Sequence, residues 1–135
     1  MPDDPDRRAT RWILTASALF FATLGGAMLF APVEVASAFG WTAGEAVGSL
    51  AAGGLLSLAV LDFTARGAIH GGIYGRPIVL ANLVFVLTAG LALLRRQLEA
   101  TPAEPLGWLL VGGLALHGVA FGLMLVGRLG GPGRG

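Results

Sequence analysis

The chain has 135 residues, of which 55% are hydrophobic and 13% charged, and its nine basic and eight acidic residues leave a formal net charge of +1. An ordinary soluble domain carries about 25% charged residues, so this composition excludes a typical water-soluble globule, and the absence of a basic patch excludes nucleic acid as a partner. The lack of cysteine removes disulfides, thiolate nucleophiles, iron–sulfur ligation and covalent haem attachment.

Taken in chain order, the sequence divides into four apolar blocks. After Arg7, Arg8 and Arg11 comes Ile13 to Ala31, nineteen residues without a charge, which with Trp12 predicts a span over 12–31. That length passes the threshold of about 18 residues for a transmembrane segment. It also exceeds the core of a cleavable signal peptide, about 7–15 residues, so a retained anchor is expected even though Ala36-Ser37-Ala38 offers a small-residue cleavage pattern. Pro32 and Gly40 bracket Val33, Val35, Ala36 and Phe39, a pattern for a short segment lying along the bilayer surface.

The second block, Ala46 to Leu61, has sixteen uncharged residues. As a helix it covers about 24 Å of a hydrocarbon core of about 30 Å, so Asp62 to Ala65 must continue it, giving a span over 46–65. The loop from Arg66 to Arg76 is rich in glycine but lacks the Lys and Ser/Thr of a phosphate-binding loop, and it reads as a turn. A third span follows over 77–94, with eighteen uncharged residues, then a connection from Arg95 to Pro105. The fourth, over 106–127, contains His117 as its one titratable group.

Runs such as Ala18-Leu19-Phe20-Phe21 and Leu83-Val84-Phe85-Val86-Leu87 are apolar on every side and do not alternate as barrel strands do. A segment in lipid must satisfy its own backbone amides, which leaves helices. Four such helices in so short a chain leave too little polar surface to cover them in water. The predicted fold is therefore all-α, a four-helix transmembrane bundle forming one integral membrane domain over residues 1–135.

All nine basic residues are arginine. Arg7, Arg8, Arg11, Arg66, Arg76, Arg128 and Arg134 fall on one face of this topology and only Arg95 and Arg96 on the other, which places both termini in the cytoplasm. Trp41 and Trp108 then sit at the outer interface, with Trp12 and Tyr74 at the inner one. Arginine in place of lysine, with abundant glycine and alanine, points to a GC-rich bacterial genome and hence a cytoplasmic membrane.

In lipid, helices associate through small residues and interhelical hydrogen bonds. Ser49, Gly53 and Ser57 recur at every fourth position of the second helix, Gly118 and Gly122 do so on the fourth, and Ala18, Ala22 and Gly26 on the first. These are the expected packing faces, within the chain, in a homo-oligomer or against a larger membrane protein.

Polar groups inside a membrane are costly and mark candidate sites. Asp62, Asn82 and His117 qualify, with Thr88 at the margin. Asp62 lies about 6 Å in from Arg66 and Asn82 about 8 Å in from Pro77, while His117 is near the middle of its helix, so the three can face one another in the inner half of the bundle. For Asp62 the expected partner is Arg66, one turn away, the alternative being a proton- or cation-handling role. Asn82 is expected to bridge two helices, or else to contact a substrate or cofactor. A core imidazole hydrogen-bonded internally is expected for His117, with ligand or proton relay as its alternative. Bis-histidine haem is not expected, because His70 and His117, the two histidines, differ in depth by at least about 10 Å. No metal or other cofactor is expected.

The arrangement resembles small bacterial four-span proteins of the DoxX-like kind and neighbouring uncharacterised families. The likeness is carried by an Arg-flanked first span ending in Phe30-Ala31-Pro32, a short segment reaching Phe39-Gly40, the Gly/Ala-rich second span, Leu80-Ala81-Asn82-Leu83-Val84 in the third and Gly107-Trp108-Leu109 at the head of the fourth. It implies an inner-membrane four-helix bundle and transfers no catalytic residue. The expected function is that of a non-enzymatic structural or accessory membrane subunit. A carrier or channel for a small solute or proton, and a quinone-linked redox accessory protein, are the alternatives.

Overall fold

Prolines mark where most of the helices start. A computed structural model describes residues 5–41, 45–67, 75–100 and 105–127. Within these lie α1 (Pro5–Phe30), α2 (Pro32–Ala38), α3 (Glu45–Ala65), α4 (Gly75–Glu99) and α5 (Pro105–Leu125), and no strand is found among the described residues. Pro5, Pro32 and Pro105 each open a helix and Pro77 sits in the first turn of α4, positions where a missing N–H costs nothing. Pro32 also explains the break after α1, because the residue before a proline is pushed out of helical geometry. Ala31 accordingly adopts φ −136° and ψ 54°.

The four long helices are each long and apolar enough to cross a membrane. Helix α3 continues through Asp62 to Ala65, the extension that its span requires. Helix α4 runs past Leu94 to Glu99, where Arg95 and Glu99 pair at 3.0 Å on the exposed surface. The apparent shortness of the third block thus reflects charges placed on the end of a longer helix. The segment bracketed by Pro32 and Gly40 forms α2, with Val33 and Glu34 exposed and Val35 and Phe39 turned to the core. It closes through Gly40 at φ 60°, a left-handed value that glycine adopts without strain.

The bundle is built from two antiparallel pairs, α1 with α3 and α4 with α5, which meet each other less intimately. Buried positions on the four long helices are spaced by three and four or their sum: Thr10, Leu14, Ser17, Ala18 and Phe21 on α1, Ala52, Leu55, Ala59 and Asp62 on α3, Val79, Asn82 and Val86 on α4, and Leu110, Leu114 and Phe121 on α5. That spacing is the seam of an antiparallel bundle. Small residues let α1 and α3 approach: a methyl group at Gly25 would lie 3.0 Å from Leu55 Cβ and 3.1 Å from the Ala52 carbonyl oxygen. Aromatic rings of Phe20, Phe21, Phe85 and Phe121 space the two pairs apart.

The small-residue faces read from sequence are only partly those used within the chain. On α3 the residues that pack against α1 are Ala52, Leu55 and Ala59, one stripe round from Ser49, Gly53 and Ser57, which lie on the exposed face. On α1 the tight contact is made by Gly25, while Gly26 faces open space. Gly118 does face α4, at van der Waals distance from Val86, and Gly122 does not meet a neighbour. Four-residue spacing identifies a smooth stripe, but on α3 the buried stripe is the neighbouring one of Ala52, Leu55 and Ala59, while Leu50, Val60 and Phe63 face outward.

Outward faces remain apolar. Leu50 is 78% exposed, Leu91 66% and Leu116 69%. In a water-soluble bundle these positions are polar, so the solvent for this surface is hydrocarbon, and the protein is a multi-pass membrane protein.

Candidate functional site

Each spanning helix brings a polar side chain to the seam between the two pairs. Ser17 on α1, Asp62 on α3 and Asn82 on α4 are fully buried, and His117 on α5 is partly buried. All four fall in the three-and-four register of the core residues around them, so burial follows from sequence position: Asp62 continues Leu55 and Ala59, Asn82 lies between Val79 and Val86, and His117 follows Leu114 and precedes Phe121.

The Nδ2 group of Asn82 donates to Asp62 Oδ1 at 2.6 Å and also to the Ile78 carbonyl at 3.1 Å. Asn82 therefore ties α4 to α3 and anchors itself to its own preceding turn. Asp62 Oδ2 and Asn82 Oδ1 are buried without a hydrogen-bond partner. Ser17 lies beside the Asp62 carboxyl, and its own Oγ is likewise unpartnered. Arg66 does not neutralise Asp62 as expected: its guanidinium lies 3.4 Å over the Phe63 ring while the carboxyl points inward. The reason is angular. Asp62 is on the buried stripe of α3, whereas the side chain of Arg66 follows exposed Phe63.

On α5, His117 Nδ1 is 2.7 Å from the Gly113 carbonyl oxygen. A carbonyl only accepts, so Nδ1 carries the hydrogen and a neutral ring leaves Nε2 as an acceptor. The imidazole stacks on Phe20 with centroids 4.7 Å apart and is flanked by Phe21 and Phe121 at 6.0 and 6.4 Å.

Ser17, Asp62 and His117 are the residue types of a hydrolytic triad, yet the triad's hydrogen bonds are not made. An acid should hold the imidazole N–H and the imidazole should hold the hydroxyl. Here Gly113 takes the N–H and Ser17 Oγ has no partner. Among the described residues no group of three His, Asp or Glu side chains is placed to hold a metal ion. Thr88 lies on the exposed face, and His70 and Tyr74 fall outside the described residues.

Toward the end of the bundle that carries α2, the same seam widens into an apolar chamber of about 640 Å³ that is open to the outside beside Leu50 and Gly54. Leu24 and Met28 of α1, Ala51 and Leu55 of α3, and Phe85 and Leu114 on the other pair contribute to its wall. Phe85 packs edge-on to Phe21 with centroids 5.5 Å apart, so aromatic rings lie between the chamber and the polar residues. The α2 end is secured by the Arg96 guanidinium, which donates to the Gly40 carbonyl, and by Phe39 stacked on Trp41 at 4.8 Å.

The sequence reading brought out Asp62, Asn82 and His117 and missed Ser17. Serine is common in membrane helices and carries little signal alone. Its register with Leu14 and Phe21, which predicts burial, is the feature that finds it. No family model, curated protein or solved structure matches this chain.

Proposed function

We propose that this chain is a non-enzymatic accessory subunit of a bacterial cytoplasmic membrane, with both termini inside, that packs against itself or a larger membrane protein. One observation carries the reading: the stripe of Ser49, Gly53 and Ser57 on α3 is exposed, with open space beyond Gly53, while the adjacent stripe makes the contacts within the chain. Ser57 donates its hydroxyl to the Gly53 carbonyl at 2.8 Å, which leaves that part of the stripe smooth and internally satisfied. Lipid tails gain nothing from such a surface, whereas another helix can approach it closely. The arginine distribution supports the orientation. The likeness to DoxX-like four-span proteins supports the membrane assignment and supplies no activity.

Native mass spectrometry in lipid nanodiscs tests this reading. An oligomer or a retained protein partner is expected, dissociated by Gly53→Leu with the helix content unchanged. A wild-type chain that is monomeric and unaccompanied across lipid compositions would sink it.

A second reading, a carrier for protons or a small solute, is favoured by the buried Asp62–Asn82 bond between the two helix pairs. It predicts flux in proteoliposomes that Asn82→Ala abolishes. Vesicles as tight as protein-free ones to a broad solute panel would exclude it.

A further inference from the structure

The polar seam has more buried oxygens than hydrogens to satisfy them. Asp62 Oδ2, Asn82 Oδ1 and Ser17 Oγ are all without a partner, in residues with no exposed surface. The Ser17 hydroxyl supplies one hydrogen, which can satisfy at most one of the other two oxygens. Asp62 is the one buried carboxyl among the described residues, and Arg66, the nearest arginine along its helix, lies over Phe63. An uncompensated carboxylate in such a place is expensive, and the group gains by becoming neutral.

We propose that Asp62 is a proton-binding site within the membrane-spanning seam, with Ser17 and Asn82 as its hydrogen-bond partners and His117 as its titratable neighbour. A proton on Oδ2 removes the charge and supplies the missing donor, to Ser17 Oγ or, after rotation of the amide, to Asn82 Oδ1. The Asn82 Nδ2 bond to Oδ1 persists in the first arrangement. A metal cation fits poorly, since hard cations such as calcium and magnesium take about six oxygens or more and the seam offers three with none of them exposed.

The groups facing Asp62 are few. Helix α1 presents Ser17 and α4 presents Asn82, neither of which titrates in water, and α5 presents His117. Just past its own helix, Arg66 lies over the Phe63 ring. With Nδ1 bound to the Gly113 carbonyl, Nε2 of a neutral His117 ring is left as an acceptor.

Infrared spectroscopy of the full chain in nanodiscs tests the site. The aspartates are Asp3, Asp4, Asp6 and Asp62, so aspartate carrying a carbon-13 carboxyl label reports few groups. Comparison with Asp62→Asn separates the Asp62 band from those of Asp3, Asp4 and Asp6. One labelled, protonated carboxyl band per chain is expected, lost reversibly on raising the pH. Asp62→Asn should remove it, Ser17→Ala should shift its frequency without reducing it at pH 7, and His117→Ala should move its titration midpoint, as coupled groups titrate together. A fully ionised label at pH 7 in well-folded wild-type protein overturns the proposal. So does a band that survives Asp62→Asn, and so does a band that no pH removes. A band without proton flux in proteoliposomes would end the carrier reading and keep the site, and oligomeric state does not enter the measurement.

Discussion

The side-chain amide of Asn82 reaches across from α4 to the Asp62 carboxyl on α3 at 2.6 Å, joining helices from the two different pairs where helix-to-helix contact is otherwise sparse. In a low-dielectric interior such a bond is strong, and leaving one partner unpaired costs about 1–3 kcal/mol. We predict that Asn82→Leu destabilises the bundle by about that much in a reversible denaturant titration, and that Asp62→Leu alone does so less, because it leaves a neutral amide still bonded to Ile78. The double variant should recover part of the sum, with a coupling of about 0.5–3 kcal/mol. Strict additivity would show that the bond contributes nothing.

How far the sequence revealed this arrangement depends on which physical signal each feature leaves. Block length and the absence of charge made four spanning helices legible, and Pro32 with Gly40 marked α2. Angular position was harder to read. Helices that are apolar all round carry almost no amphipathic signal, so the buried face of α3 could not be separated from its exposed face by hydropathy. Four-residue small spacing then led to Ser49, Gly53 and Ser57 instead of Ala52, Leu55 and Ala59. Asp62 was identified as an intramembrane polar group, but its partner was read from the nearest opposite charge along the helix, Arg66. Only the register shared with Leu55 and Ala59 turns that carboxyl toward α4. The chamber between the pairs depends on how far the aromatic rings hold the helices apart, which no local pattern encodes.

The two adjacent glycines of α1 should respond oppositely to the same change. A methyl at Gly25 would crowd Leu55 Cβ and the Ala52 carbonyl at 3.0–3.1 Å, whereas Gly26 has open space beyond it. Overpacking a close helix contact costs about 1–3 kcal/mol, so Gly25→Ala is expected to lower the unfolding midpoint clearly. Gly26→Ala should be neutral or slightly stabilising, since alanine is the better helix former. Equal effects at both positions would mean that α1 and α3 do not meet at Gly25.

Arg96 should hold α2 in place. Its guanidinium donates to the Gly40 carbonyl, linking the end of α4 to the turn that follows α2. Helix α2 is seven residues long and buries no residue fully, so it has little stability of its own. Arg96→Ala is expected to speed hydrogen exchange of the amides of Val35 and Phe39 without changing exchange in the core of α5. Unaltered protection in α2 would show that the contacts of Val35, Phe39 and Trp41 suffice.

Phe21 and Leu19 separate the contribution of the core from that of the lipid-facing surface. Phe21 is fully buried, packed edge-on against Phe85 and beside His117, while Leu19 is 64% exposed two residues earlier. Removing a buried phenylalanine side chain costs about 3–5 kcal/mol in soluble cores through lost contacts and the cavity left behind. In lipid the contact term persists, because dispersion depends on close packing and not on water. Leu19→Ala exchanges one hydrocarbon contact for another and should change stability by less than about 0.5 kcal/mol, whereas Phe21→Ala should lose several times that. Unfolding of both variants in the same lipid decides the point. If Leu19→Ala proved as damaging as Phe21→Ala, the face carrying Leu19 would be buried against a partner and the seam at Phe21 would not be the centre of the bundle.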